Sequence, residues 1–340
     1  MRLKSVSELK NLNTERIRRA IQEKRIFTKS MIFRETSLSM ATCGNTINDM
    51  LEDNEVIQVD REELQMGRPV ARFTYNRDYL HVMGVSIFTE NHKYTAKIVI
   101  TDALGGTLRR RRCDYQEFEY ADLLQLLSEE LRTDPFIKGI EIGVPGVINE
   151  DMLEKCDIQS LAGLQLCRML EEELHVTVQV KNDMDYMAYG AYHTRSDNRG
   201  NLAALYFPRD GKGIVGCGFV IDGKVLKGFS NFAGELYVIP EAFGISRQQQ
   251  ANAWKCRENF LKYAAAMILT VVASMNPEEI IIMGSDVQDG ELSWIKNYCA
   301  GIIPEKHMVN ISIDGEYEET YSKGLIKSAL NRLLFPVSEV

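Results

Sequence analysis

Apolar residues in the first fifty positions recur at spacings of three and four, which predicts three short amphipathic helices. The apolar faces consist of Ile17, Ala20 and Ile21 in the first helix, Met31, Ile32 and Phe33 in the second, and Cys43, Ile47, Met50 and Leu51 in the third. The expected N-caps are Asn13 or Thr14, Thr28 and Ser39. Three helices with a tight turn before the last predict a helix-turn-helix, whose last helix fits the DNA major groove.

Two short strands are predicted after these helices, at 56–59 and 71–75, and the loop between them contains Arg68 beside a glycine and a proline. Helices followed by such a hairpin are typical of a winged helix-turn-helix. Arg68 on the loop is expected to contact a phosphate or the minor groove. The third helix is poor in Lys and Arg, so base reading would rest on Thr42 and Asn45. Phosphate contacts would come from Lys29, Arg34 and Arg68.

The remaining chain alternates predicted strands with helices, which indicates an α/β body with a mixed sheet. A strand–turn–strand unit at 84–108 has a second, clearer copy at 211–226, and this repetition suggests a duplicated pair of lobes. The predicted division is therefore a head of residues 1–76 and a body of residues 77–340. Within the body, lobe one is 77–192 plus a C-terminal helix at about 325–340, and lobe two is 193–324.

Composition is that of an ordinary globular protein, with 45% hydrophobic and 26% charged residues among 340. No apolar run could span a bilayer, and the N-terminus lacks a secretion signal, so a cytoplasmic protein with no membrane partner is expected. Seven cysteines are scattered without a CxxC pair, which favours reduced thiols. The net charge of −8 is unevenly spread, because the head is slightly basic and the body acidic. This asymmetry fits a nucleic-acid-binding head, although an equally built head could instead dock a protein.

Two polar clusters in the body are candidate ligand sites. Asn182 and Asp183 stand where a predicted strand ends and a helix begins, which is where α/β folds collect ligands. Their side chains could bind sugar hydroxyls or could simply cap the helix. Asn231 and Glu235 form the second cluster, and Glu235 either accepts two adjacent hydroxyls or caps the next segment.

These features together resemble the ROK family, named for repressor, open reading frame and kinase, and within it the winged-helix repressor branch. The matching segments, in order, are 38–42, 51–53, 67–69, 143–146, 182–183, 211–214, 233–236, 276–277 and 324–330. The resemblance implies a two-lobed body with the actin-like, ribonuclease-H-like fold of sugar kinases, assembled as a homodimer or homotetramer. It also implies ligand contacts by Asn182, Asp183, Asn231 and Glu235.

Departures from the family pattern change the expected chemistry. A working phosphate turn of this class begins with a metal-holding aspartate, followed by glycine and threonine, whereas Ser86 and Phe88 occupy the corresponding places here. Family members also carry Gly-His and a zinc-binding cysteine cluster, where this chain has Tyr237, Val238 and the segment 244–250. Neither a metal, a cofactor nor a catalytic residue is therefore expected.

The leading hypothesis is a transcriptional repressor of carbohydrate genes that binds a double-stranded DNA operator and senses a sugar or sugar phosphate in a degenerate kinase body. One alternative is a repressor whose body no longer binds sugar and serves oligomerisation or protein docking. An active ATP-dependent sugar kinase is disfavoured, because the carboxylate that would hold the metal is missing at Ser86.

Overall fold

The head consists of three helices and a two-stranded sheet. This computed structural model describes residues 6–62, 70–90, 93–149, 151–195, 200–208, 214–284, 287 and 289–336. The elements of the head are α1 (Val6–Gln22), α2 (Lys29–Thr36), α3 (Met40–Glu52), β1 (Val56–Glu62) and β2 (Val70–Tyr75). The strands β1 and β2 pair antiparallel. Three helices and a hairpin stand where the apolar periodicity predicted them. The loop with Arg68 lies outside the described residues.

The caps of the second and third helices are confirmed, and that of the first is wrong. The hydroxyl of Thr28 accepts a hydrogen bond from the backbone N–H of Met31, and Ser39 accepts one from Thr42. Asn13 and Thr14 do not cap α1, because that helix begins at Val6 and includes both residues. The apolar faces also differ in part from the prediction: Ile32 is buried, but Met31 and Phe33 are 42% and 37% exposed.

Lobe one is built on a five-stranded sheet in the order β5-β4-β3-β6-β9. Its elements are β3 (His81–Glu90), β4 (Lys93–Thr101), β5 (Thr107–Tyr115), α4 (Tyr120–Thr133), β6 (Ile137–Val144), β7 (Gly146–Asn149), β8 (Met152–Cys156), α5 (Leu166–Leu174), β9 (Thr177–Asn182) and α6 (Asp183–Thr194). β3, β4 and β5 form an antiparallel meander, whereas β6 runs parallel to both β3 and β9. The apolar residues of β6 are buried, as a central parallel strand requires.

Lobe two repeats this plan, with a sheet in the order β12-β11-β10-β13-β14. The remaining elements are β10 (Leu202–Tyr206), β11 (Gly216–Ile221), β12 (Lys224–Val225), α7 (Val238–Ala242), α8 (Arg247–Ala251), α9 (Arg257–Ser274), β13 (Glu279–Met283), α10 (Asp289–Ala300), β14 (Asn310–Asp314) and α11 (Tyr317–Leu334). In each sheet an antiparallel hairpin continues into parallel strands, which is the repetition that the two strand–turn–strand units predicted. No helix among the described residues is both long and apolar enough to cross a membrane.

Helix α11 packs against α6 at a distance that only glycine permits. A Cβ atom at Gly190 of α6 would lie 2.0 Å from the carbonyl oxygen of Thr320, and one at Gly324 of α11 would lie 2.0 Å from that of Tyr186. Both obstacles are backbone atoms of the facing helix, so they cannot turn away. The sequence placed the C-terminal helix at about 325–340, but it begins at Tyr317, and its first two turns adjoin both lobes.

The C-terminal end of α11 joins the core of the head. One continuous apolar cluster contains Ile17, Ile21, Phe27 and Ile47 of the head together with Leu80, Val82, Ile326, Ala329, Leu334 and Phe335 of the body. Arg18 of α1 donates a hydrogen bond to the carbonyl of Leu334 and pairs with Glu55. The guanidinium of Arg19 lies 4.0 Å from the centroid of the Phe335 ring. The head is therefore packed on the body rather than suspended from a linker.

Replacing Gly190 by Ala is expected to destabilise the protein by about 3 kcal/mol, because the added methyl group forces α6 away from the backbone of α11. The measurement is denaturant unfolding of the full chain. Gly290→Ala is the matched control, since a Cβ there meets nothing within 4 Å. Equal stability of Gly190→Ala and the control would contradict the close approach of the two helices.

Candidate functional site

A cleft of about 480 Å³ separates the two lobes. Lobe one contributes the turn around Pro145 and Gly146, the end of β8 and the start of α6. Lobe two contributes β11 and the segment from Gly234 to Tyr237. The first turn of α11 closes one side through Tyr317 and Glu318. The cleft is thus bounded by the carboxyl ends of lobe-one strands, where α/β folds bind ligands.

Asn182 and Asp183 lie in this cleft and also hold the start of α6. The side-chain oxygen of Asn182 accepts a hydrogen bond from the N–H of Met184 at 2.8 Å, and its amide donates to the carbonyl of Gly146 at 2.9 Å. Oδ1 of Asp183 accepts from the same N–H at 2.8 Å. Asn182 and Asp183 can therefore cap the helix and still bind a ligand. Capping uses Oδ1 of Asp183, and no described residue hydrogen-bonds its Oδ2.

Asp157, Asp183 and Glu235 are among the carboxyl groups that line the cleft, and the charges of Asp157 and Glu235 favour protonation of Asp183. Burial, reinforced by the charges of Asp157, Glu235 and Asp185, raises the pKa of Asp183 to about 8, although a hydrogen bond from Met184 opposes the shift. Burial likewise raises the pKa of Glu235, against the opposing charges of Arg247 and Lys155. A protonated carboxyl both donates and accepts hydrogen bonds, so Asp183 is suited to a neutral hydroxyl-bearing ligand near pH 7.

The structure brings three of the four predicted ligand residues together. Asn182, Asp183 and Glu235 line the cleft, whereas Asn231 is exposed on the preceding loop with a φ of 55° and is not part of the cleft wall. The backbone of Asn231 is in the left-handed region, which turns the loop before it reaches the cleft. A contact between Asn231 and a sugar stays a prediction.

Sequence reasoning missed the wall of the cleft that β4, β5 and α11 form. Lys97 of β4 pairs with Glu318 of α11, and its ammonium lies 5.0 Å from the centroid of the Phe88 ring. Arg112 and Tyr317 line the same wall. Tyr317 and Glu318 are more than 200 positions from Lys97 and Arg112 in the chain, and only the position of α11 on lobe one brings them together.

At the place where the family resemblance implies a metal-holding aspartate, the structure has a buried hydroxyl and an aromatic ring. Ser86 is 3% exposed within β3. Phe88 lines the cleft and packs edge-to-face against Tyr321, with ring centroids 5.6 Å apart. Neither residue offers a carboxylate, so Ser86 and Phe88 do not fit the metal of a magnesium-bound phosphate. The matching glycine turn of lobe two, Gly211 to Gly213, lies outside the described residues.

The region where the resemblance implies zinc does not fit the metal either. No group of three His, Cys, Asp or Glu side chains with metal-ligating geometry occurs in the part of the chain that the structure describes. Gln250 stands there instead, 2% exposed. Its amide donates to the carbonyls of Tyr237 at 3.1 Å and Ile245 at 3.2 Å, and its oxygen accepts from Tyr263 at 2.9 Å. One buried amide therefore joins the segments that a metal would otherwise tie together.

The predicted DNA contacts in the described part of the head are all at least partly exposed. Arg34 and Asn45 are exposed, and Lys29 and Thr42 are partly exposed. Lys29 donates a hydrogen bond to Asn48 of α3 and lies 5.7 Å from the ring centroid of Phe73. The hydroxyl of Thr42 is 2.8 Å from that of Ser39. The fifth predicted residue, Arg68, lies outside the described residues.

Asp183→Asn is expected to make stability less dependent on pH. The folded protein keeps the Asp183 proton up to about pH 8, whereas the ordinary pKa is 3.8, so folding binds a proton between these values. The contribution to the free energy of unfolding therefore falls as pH rises, by at most about 1.4 kcal/mol per pH unit. Denaturant unfolding at several pH values measures the slope, with Asp49→Asn on the exposed head surface as control. An unchanged slope in Asp183→Asn would show that the group is ionised throughout.

The family model and several solved structures that match this chain name the ROK family. A sequence profile described as the ROK family matches residues 93–239. A putative xylose repressor from Caldicellulosiruptor sp. (strain Rt8B.4) is 25% identical over 286 residues, which are 80% of this chain and 70% of that protein.

Two solved structures share the fold. A ROK family transcriptional regulator, a homolog of the E. coli MLC protein, superposes with a TM-score of 0.69 at 19% identity and covers 97% of this chain and 99% of its own. The ROK hexokinase from Thermus thermophilus superposes with a TM-score of 0.57 at 16% identity and covers 75% of this chain and 99% of its own. Residues 93–239 therefore match a ROK family domain, and the proteins similar to this chain include repressors and a ROK family transcriptional regulator.

Proposed function

We propose that this protein is a repressor of carbohydrate genes that binds an operator through its head and changes its operator affinity when a sugar or sugar phosphate occupies the cleft. The observation that carries the proposal is the path of α11. Tyr317 and Glu318 at its start line the cleft, and Leu334 at its end is bonded to Arg18 of the head. Its 18 residues span about 27 Å, so one rigid element touches both sites.

The head supports DNA binding by its form and its charges. Its elements α1, α2 and α3 with the β1–β2 hairpin match a winged helix-turn-helix, in which α3 enters the major groove. Lys29 and Arg34 on α2 are placed to contact phosphates, and Thr42 and Asn45 on α3 are placed to contact bases. Arg68 belongs to the same proposal as a contact of the wing.

The cleft supports a ligand rich in hydroxyl groups. Asp183 and Glu235, both with raised pKa values, face a volume of about 480 Å³, which exceeds the ~300 Å³ lower bound of small-molecule pockets. Lys97 and Arg112 stand on another wall of the same cleft and suit the phosphate of a sugar phosphate. Relatives named as xylose repressors make a pentose the first ligand to try.

Phosphoryl transfer is not part of the proposal. Catalysis of that reaction requires charge stabilisation on the transferring phosphate, usually by a carboxylate-held metal. Ser86 and Phe88 stand where the family's metal-holding aspartate and glycine would be. Asp183 therefore has the role of a recognition group rather than that of a base.

A body used only for association or protein docking is the second candidate, because lobe two exposes large apolar side chains. Phe229 is fully exposed, Phe243 is 81% exposed and Ile245 is 44% exposed. Exposed aromatic residues in such numbers are typical of contact surfaces. A homodimer or homotetramer that covers them is compatible with either candidate.

Ligand binding is tested by thermal unfolding with xylose, hexoses, N-acetyl amino sugars and their phosphates. The correct ligand at 100 times its Kd is expected to stabilise the wild type by about 2.7 kcal/mol. Asp183→Ala should lose this response and keep its DNA affinity, while Asn297→Ala, on the exposed face of α10, should retain both. No response to any ligand would favour the docking candidate, and ADP release from ATP in the same samples would contradict the proposal.

Arg34→Ala is expected to weaken binding to duplex DNA several-fold and to make the logarithm of affinity less steeply dependent on salt, by about one unit of slope. Fluorescence anisotropy at several salt concentrations measures both quantities. Arg168→Ala removes the same charge from an exposed position on lobe one and should change neither. Identical slopes for the two variants would remove Arg34 from the DNA interface.

A further inference from the structure

The exposed stripe of α3 carries no charged side chain from Ala41 to Asn48, and the charged residues Asp49 and Glu52 lie at its C-terminal end. Cys43, Thr46, Ile47 and Met50 are buried, so the opposite face presents Ala41, Gly44, Asn45 and Asn48. Ala41 lies three and four positions before Gly44 and Asn45, and Asn48 lies four and three positions after them, so the four residues share one face of the helix. Proteins most often read guanine with Arg or Lys. Helix α3 has neither residue anywhere between Met40 and Glu52.

Most of the polar side chains near this stripe already have a hydrogen-bond or ion-pair partner within the head. The hydroxyl of Thr42 is paired with Ser39 at 2.8 Å, which leaves its methyl group for outside contacts. The oxygen of Asn48 accepts a hydrogen bond from Lys29, and Asp49 pairs with Lys10 at 3.2 Å. Asn45 is exposed, and no described residue hydrogen-bonds its side chain. Its amide is therefore the group on this stripe best placed to bond a base edge.

We infer that the base pairs beneath α3 are A·T pairs. This inference rests on the proposed operator binding and specifies its sequence. The amide of Asn45 matches adenine, because it accepts from N6 and donates to N7 in a bidentate pair. The methyl groups of Ala41 and Thr42 match the C5-methyl group of thymine, and cytosine lacks such a group. A G·C pair in these positions would find no cationic fork to bind O6 and N7 of guanine.

Gly44 supports close approach of α3 to the bases. A Cβ atom there meets nothing within 4 Å, so no packing contact requires glycine at this position. Alanine would favour the helix by up to about 1 kcal/mol. A glycine that lowers helix stability on an exposed face, between two base-reading positions, leaves room for the floor of the groove beside Asn45.

The test is selection of bound duplexes by the full-length protein from a library with about 20 random base pairs, enough for two half-sites one helical turn apart. The wild type is expected to enrich half-sites with an adenine whose replacement lowers affinity about 10-fold. Asn45→Ala should lose the preference at that position alone. Asn45→Arg should change the preferred base there from adenine to guanine. Asn297→Arg adds the same charge on α10 of lobe two and should select the wild-type sequence.

The selection experiment distinguishes failure of A·T reading by Asn45 from failure of operator binding. Enrichment of half-sites whose preferred bases do not change in Asn45→Ala and Asn45→Arg would overturn the inference and keep operator binding. Selection of guanine by the wild type at the position that Asn45 controls would do the same. Failure of the wild type to enrich any duplex would overturn both.

Gly44→Ala gives a second, independent readout. The variant is expected to unfold at the same or a higher temperature than the wild type and to bind the selected duplex at least several-fold more weakly. Higher stability with unchanged affinity would place α3 too far from the bases for Asn45 to read them, and would overturn the inference.

Discussion

The arrangement of this molecule depends on the packing of α11 against α6. Two glycines, Gly190 and Gly324, allow the backbones to touch, so the helices cannot slide without losing many contacts at once. A joint of this kind has few stable positions rather than a continuous range. The helix also belongs to the core of the head through Leu334 and Phe335. A change at the cleft that shifts α11 is therefore felt at α1, because the helix is stiff.

A buried charge fixes the rotation of α11 about its axis. Glu141 of β6 is fully buried and accepts hydrogen bonds from Tyr186 of α6, and from Ser328 at 3.1 Å and Arg332 at 2.9 Å on α11. Burying a carboxylate is costly unless it is fully hydrogen-bonded. Only one rotation of α11 supplies both Ser328 and Arg332. The apolar contacts set how close the helix lies, and this network sets which face it presents to lobe one.

The sequence predicted local features well where one signal dominates. Ser and Thr before an apolar periodicity predict the caps of α2 and α3, and both caps are confirmed. The predicted position of Asn182 and Asp183 between a strand and a helix is also confirmed, at the junction of β9 and α6. The prediction was wrong where signals competed. Met31 and Phe33 are apolar neighbours of Ile32, but one short helix buries only one narrow stripe. Asn13 and Thr14 are good caps, yet α1 extends further because its earlier residues also favour a helix.

Features that depend on distant parts of the chain could not be read from the sequence. The ion pair between Lys97 and Glu318 and the bond from Arg18 to Leu334 join residues separated by more than 200 positions. The raised pKa of Asp183 is of the same kind, because its causes are burial and nearby carboxylates, of which Asp157 and Glu235 belong to separate segments. Sequence identifies the acid, but only the folded arrangement gives its protonation.

The differences from the kinase pattern that the family resemblance implies share one physical feature, which is that neutral side chains stand where that pattern has groups that hold a metal. Ser86 and Phe88 provide a hydroxyl and a ring where a metal-bound phosphate needs a carboxylate. Gln250 holds by neutral hydrogen bonds a region that charged thiolates and a metal would hold. Burial raises the pKa of Asp183 to about 8, so this carboxyl suits a hydroxyl-bearing ligand as a neutral group near pH 7. Under the proposed function, such a cleft would select its ligand by shape and hydrogen bonding, and the energy of that binding would move α11 rather than break a bond.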